Sequence, residues 1–201
     1  MHKIAVLISG RGSNLLAIIN AIEEKKLEVD IAVVISDKKE AKGLEYAQKH
    51  NIETVFLDPK RFLSREEYDK EMSRIIEEKK VDIICLAGFM RILSSCFVNK
   101  YRGKLINIHP SLLPSFPGAH GQRDALEYGV KISGVTVHFV EEGMDTGQII
   151  MQLVVPVMED DTEELLAKRI LAQEHKIYPA AIKLFIEGKL EICGRRVKIK
   201  K

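Results

Sequence analysis

At 201 residues the chain suits one domain with a full hydrophobic core. Its 46% hydrophobic and 30% charged residues exclude a disordered or low-complexity polypeptide. With 31 basic and 29 acidic side chains the net charge is +2, which excludes a broad polyanion-binding field and makes nucleic acid an unexpected partner.

In chain order, short apolar runs alternate with amphipathic segments. The runs at 4–8, 31–35, 54–57, 82–87 and 105–108 read as strands. Between them, residues 14–25 carry a helical stripe of Leu15, Leu16, Ile18, Ile19 and Ile22, and a second helix is expected at 43–50. A third starts at Ser64, which heads the capping box Ser64-Arg-Glu-Glu67, and runs to about 80. This alternation predicts an α/β fold with a Rossmann-like, mainly parallel sheet flanked by helices.

After Pro110 the pattern changes. Residues 118–121 read as loop and 124–128 as a short helix. Two long strands, 132–140 and 148–157, joined by Glu141-Glu-Gly-Met-Asp-Thr-Gly147, suggest an antiparallel hairpin appended in the C-terminal half. Asp161-Thr-Glu-Glu164 caps a final helix that reaches about 188. The basic tail from Arg195 to Lys201 is expected as a solvated edge strand.

Cys85, Cys96 and Cys193 are odd in number and lack paired spacing, as reduced cytosolic thiols would be. The histidines at 2, 50, 109, 120, 138 and 175 are scattered, so no metal is expected. No run reaches the ~18 apolar residues of a membrane helix, and the first strand passes straight into glycine and arginine without a signal-peptide pattern. A cytoplasmic protein with no membrane partner is the expectation.

Four segments can carry chemistry. The turn Ser9-Gly10-Arg11-Gly12-Ser13-Asn14 feeds a strand into a helix, where free N–H groups suit a phosphate monoester and Ser13 or Asn14 can cap. It lacks the third glycine of a dinucleotide fingerprint and the lysine of a P-loop. The segment Leu86-Ala-Gly88-Phe-Met-Arg91-Ile-Leu93 ends a buried strand, where ligands of open α/β sheets sit. Phe89, Met90, Ile92 and Leu93 could wall a flat apolar ligand there, with Arg91 able to salt-bridge outward, although packing against the next helix is favoured.

In Leu105-Ile-Asn107-Ile-His109-Pro110-Ser111-Leu-Leu-Pro114, Asn107 and His109 stand two apart on a strand and share a face. A carboxamide beside a titratable base suits oxyanion binding and proton transfer. Asp145, in the glycine-flanked hairpin loop, is a turn former or a charge partner for His109. His120 and His138 are further candidates, although isolated histidines near strands are more often structural.

Together with Val137-His-Phe-Val140, Asp145-Thr-Gly147 and Gln173-Glu-His-Lys-Ile-Tyr-Pro179, these blocks resemble the phosphoribosylglycinamide formyltransferases, also called glycinamide ribonucleotide transformylases, of the formyltransferase family. The resemblance covers nearly the whole chain. It implies a single formyltransferase domain over 1–201, with 1–110 as the phosphate- and nucleotide-binding half and 111–201 as the folate-pocket hairpin and C-terminal helix. The implied activity is formyl transfer from 10-formyltetrahydrofolate, as co-substrate, to the amine of N1-(5-phospho-D-ribosyl)glycinamide in de novo purine biosynthesis.

The same resemblance implies Asn107, His109 and Asp145 as catalytic residues. Gly12, Ser13, Asn14 and Glu174 match the phosphoribosylglycinamide site. Arg65, Met90, Arg91, Ile92, Leu93, Asn107, Glu141 and Asp145 match folate contacts, with the loop from Glu141 to Asp145 closing the pterin pocket. The region Gly118-Ala-His-Gly-Gln122 departs from the pattern, which leaves His120 the weakest assignment. Partners would be small-molecule substrates, acting on a monomer or homodimer. The alternative is a 10-formyltetrahydrofolate hydrolase, which shares the catalytic trio but needs neither the phosphate turn nor Glu174.

Overall fold

The computed structural model describes residues 1–200; Lys201, the last residue of the basic tail, lies outside the described residues. The chain forms two compact units, 1–106 and 107–201 by residue number.

In the first unit β1 (His2–Ile8), β2 (Val29–Ser36), β3 (Thr54–Phe56) and β4 (Ile83–Leu86) run parallel in the order β3-β2-β1-β4. Residues 4–8 of β1 are wholly buried, as a strand covered on both faces requires, which explains its unbroken apolar run. Crossover helices α1 (Ser13–Glu23), α2 (Lys42–Lys49) and α3 (Arg65–Lys79) connect the strands. Chain order reverses between β2 and β4 on either side of β1, the place where such sheets open a crevice at their carboxyl ends.

The α3 cap follows its sequence. Ser64 Oγ accepts the Glu67 N–H at 3.1 Å, and Glu67 Oε2 accepts the Leu63 N–H at 3.0 Å. One short helix, α4 (Ser95–Lys100), was not expected; Ser94 caps it through the Phe97 N–H. Six residues are too few for a readable apolar period.

The strand β5 (Leu105–His109) closes the first unit with Leu105 and Ile106 and opens the second with Asn107. In the second unit α5 (Gly121–Tyr128) begins three residues earlier than expected. Strands β6 (Ile132–Phe139) and β7 (Ile149–Pro156) pair antiparallel, with a register shift at Val137/His138, and β6 neighbours β5. The helix α6 (Glu163–Ile186) packs on both β6 and β7. The fold is thus the α/β arrangement with a mainly parallel sheet, flanking helices and an antiparallel addition.

The tail does not form a lone edge strand. It folds back as a two-stranded ribbon, β8 (Leu190–Cys193) with β9 (Arg196–Ile199), around a turn at Gly194 and Arg195. Among the described residues no helix is long and apolar enough to cross a membrane. Cys85 is buried, and none of Cys85, Cys96 and Cys193 is in a disulfide.

Candidate functional site

The turn after β1 is built by backbone geometry. Gly12 caps α1 in the left-handed region at φ 72°, in place of the expected side-chain cap from Ser13 or Asn14. A Cβ on Gly12 would lie 2.4 Å from Gly43 Cα, so the turn and the start of α2 touch through two glycines. Ser13 and Asn14 therefore fall within the first turn of α1, where N–H groups lack helical partners.

Ser9 ties this turn to the end of β4. Its N–H donates to Gly88 O at 3.0 Å, and its hydroxyl accepts the Met90 N–H at 2.8 Å. The following residues depart from the packing expectation. Phe89 is buried and Leu93 half-buried, whereas Met90 is 71% and Ile92 65% exposed. The Arg91 guanidinium lies 4.6 Å over the Tyr68 ring, a cation–π contact. Asp69 fixes the end of the segment by accepting the Ser94 N–H at 2.6 Å, and burial raises its carboxyl pKa above the ordinary value. Arg65 opens α3 and lies 3.8 Å from Glu66.

The second unit gathers four chemically active side chains. Asn107 and His109 leave β5 on one face, and β6 brings His138 beside them. The β6–β7 loop brings Asp145, whose own φ is 52°. The His109 Nε2 donates to the Phe116 carbonyl at 2.8 Å, because a carbonyl can only accept. Its Nδ1 lies 3.4 Å from Asp145 Oδ2. Both ring nitrogens face acceptors, an arrangement that a doubly protonated imidazolium satisfies.

His138 has the opposite setting. Its Nδ1–H donates to the Phe139 carbonyl at 2.7 Å. Its Nε2 lone pair then accepts the Asn107 Nδ2–H at 3.3 Å. Burial holds the His138 pKa below the usual histidine value. The Phe139 carbonyl and Asp145 oppose that shift, while the His109 and Arg195 charges add to it. The neutral ring is the form these contacts fit. Asp145 lies between the two rings, with Oδ1 3.6 Å from His138 Nε2 and Oδ2 taking the Gly118 N–H at 2.7 Å.

His138 is thus part of the cluster, against the expectation that it is structural. No local sequence signal marks that role, which arises because β6 lies beside β5. His120 is exposed at the start of α5 and is not among the side chains that meet in the cluster. Ser111, the hydroxyl nearest in sequence to His109, is turned into its loop by donating to the Ser115 carbonyl at 2.6 Å. Glu174 is buried on α6, and Glu141 accepts from Gln148 Nε2 at 2.8 Å. A cavity of about 650 Å³ lined by Leu112, Phe116, Tyr128 and Ile132 includes none of the four clustered side chains. Among the described residues no group of three or more His, Cys, Asp or Glu is arranged to hold a metal.

An amide, an imidazole whose two nitrogens face acceptors, and a carboxylate make a centre suited to transfer of a carbonyl group. The chain belongs to the formyl transferase family, whose model matches residues 2–182. It is 48% identical over 190 residues to phosphoribosylglycinamide formyltransferase of Escherichia coli, covering 94% of this chain and 90% of that protein. Glycinamide ribonucleotide transformylase 1 from Symbiobacterium toebii superposes with a TM-score of 0.98 at 49% identity, covering 100% of this chain and 95% of that one.

Within the family, the chain belongs with the phosphoribosylglycinamide formyltransferases. It is also 48% identical to part of the human trifunctional purine biosynthetic protein adenosine-3, covering 98% of this chain. The chain spans only 19% of that protein and 14% of its Drosophila melanogaster counterpart.

Proposed function

We propose that the chain transfers a formyl group from 10-formyltetrahydrofolate to the amine of N1-(5-phospho-D-ribosyl)glycinamide, a step of de novo purine biosynthesis, and that it works in the cytoplasm as a single domain over 1–201. The observation that carries the reading is the cluster in which Asn107, bonded to His138, shares a strand face with His109, whose two nitrogens face the Phe116 carbonyl and Asp145. The family membership and the 48% identity to a phosphoribosylglycinamide formyltransferase support it.

The substrate amine, uncharged, attacks the formyl carbon. A C–N bond forms and the carbonyl electron pair moves to oxygen. The second N–H of Asn107, the one His138 does not take, stabilises that oxyanion; a single such donor is typically worth ~10²–10³ in rate. His109 contributes an N–H by exchanging its bond to the Phe116 carbonyl for one to the same oxygen.

When the intermediate collapses, the bond from the formyl carbon to the folate nitrogen breaks. His109 gives that nitrogen a proton and regains one from the former amine, so the ring is unchanged over the cycle. The Asp145 carboxylate, 3.4 Å from Nδ1, orients the ring and faces the charge that it carries in the proton transfer. No covalent enzyme intermediate is required.

Gly12, Ser13 and Asn14 take the phosphate at the N-terminal turn of α1, where the helix dipole favours an anion. Glu174 orients the attacking amine. Arg65, Met90, Arg91, Ile92 and Leu93 bind the folate, and the exposure of Met90 and Ile92 supports a contact role. Asn107, Glu141 and Asp145 complete its contacts. The nearest rival is hydrolysis of 10-formyltetrahydrofolate. Following folate absorbance with and without the ribonucleotide separates them. Formyl loss is expected only when the ribonucleotide is present; equal loss without it would mean hydrolysis.

A further inference from the structure

We propose that Arg195, at the tip of the C-terminal ribbon, is a positioning residue that latches the Asp145 loop. The inference rests on the formyl-transfer reading of the Asp145 site.

Its first basis is the local geometry of the ribbon. Cys193 pairs directly with Arg196, leaving Gly194 and Arg195 as a two-residue turn. Gly194 has φ 58°, the left-handed value that a hairpin with glycine at its first central position requires. The turn therefore presents Arg195 at the extreme end of the ribbon. The ribbon itself is held, since β9 packs against β7.

The second basis is where that tip reaches. Arg195 Nη1 donates to the Thr146 carbonyl, one residue from Asp145. Asp145 has φ 52°, a conformation that a non-glycine residue keeps only when its surroundings hold it. Thr146 Oγ1 donates to Glu142 O at 3.0 Å, closing the loop on itself. Gly147 approaches Phe139 so closely that a Cβ there would stand 1.7 Å from the carbonyl oxygen. The Gly118 N–H holds the carboxylate at 2.7 Å. Among these restraints Arg195 is the one side chain from the C-terminal ribbon.

The third basis is electrostatic. The Arg195 cation adds to the forces that keep His138 neutral. A neutral His138 is the form whose Nε2 accepts from Asn107. One guanidinium thus supports both the loop carrying Asp145 and the ring that orients Asn107. Arg195 itself is solvent-exposed, so its replacement leaves no buried cavity.

The test is a kinetic and exchange comparison of Arg195→Met, Arg195→Lys, Asp145→Asn and the double variant Arg195→Met/Asp145→Asn. Loss of one charge-assisted hydrogen bond at an exposed site should lower kcat roughly five- to tenfold in Arg195→Met. The KM for the ribonucleotide should stay unchanged, and amide exchange across residues 141–147 should accelerate. Arg195→Lys should restore kcat to within about twofold, since an ammonium can still donate to a carbonyl. On the Asp145→Asn background the Arg195 substitution should cost nothing further.

Unchanged kcat and unchanged exchange in Arg195→Met would overturn the latch, as would an equal proportional loss on both backgrounds. If the unsubstituted chain transferred no formyl group, the functional reading would fail by itself. The exchange of residues 141–147 in Arg195→Met would then decide the latch alone.

Discussion

Asn107 Nδ2 and His138 Nε2 meet at 3.3 Å, with the other nitrogen of His138 committed to its neighbour's carbonyl. This pairing sets the direction of the Asn107 amide. A protonated His138 would present a donor where Asn107 needs an acceptor, so burial of the ring and orientation of the amide depend on each other.

Replacing His138 with phenylalanine keeps the ring volume and removes the acceptor. Turnover should fall about tenfold, the usual size of a lost orienting hydrogen bond, with little change in either substrate's KM. His138→Gln, which can still accept through its carbonyl oxygen, should recover part of the loss. Steady-state kinetics on the two variants checks this.

His138, buried, and His175, half-buried, also set a pH dependence of stability. Burial lowers the pKa of both His138 and His175 below the ordinary 6.5. Below that value the unfolded chain binds protons that the folded chain refuses. Stability therefore rises with pH across this window and is lost as pH falls from about 7. Each group contributes a slope of at most about 1.4 kcal/mol per pH unit. Urea melts between pH 7.5 and 5.5 should show that decline, and His138→Gln should flatten it.

Gly12→Ala should destabilise the chain by about 2–4 kcal/mol, combining a positive φ with a methyl group driven into Gly43. Thermal unfolding reads the loss directly. Gly10→Ala, whose added carbon would meet nothing within 4 Å, is the matched control.

Asn14→Ala should raise the ribonucleotide KM roughly tenfold while leaving the folate KM nearly untouched, if the first turn of α1 holds the phosphate. Initial rates with each substrate varied in turn separate the two constants.

Much of this architecture was legible in the sequence. The buried strands announce themselves through unbroken apolar runs, and the Ser64 box marks the start of α3 to the residue. The spacing of Asn107 and His109 placed them on one face because strand side chains alternate. What stayed hidden depends on distance in space. Nothing local distinguishes His138 from a packed histidine, since its role comes from β6 lying beside β5.

The Gly12 cap was misread because Ser13 and Asn14 are the better cappers by residue type, while the close approach of Gly43 selects glycine. The exposure of Met90 and Ile92 defied a packing expectation that suits most apolar side chains. Arg195 lay in a tail that reads only as basic, and its reach to Thr146 depends on the ribbon turn.

The central claim is that Asp145 acts on the charge of His109, and kcat and both KM values of Asp145→Asn test it most directly. The substitution keeps the side-chain shape and removes the charge 3.4 Å from His109 Nδ1. The account predicts a fall in kcat of about 10²-fold or more, with both KM values within about threefold of the unsubstituted chain and the fold intact. An unchanged kcat in a folded Asp145→Asn chain would contradict it.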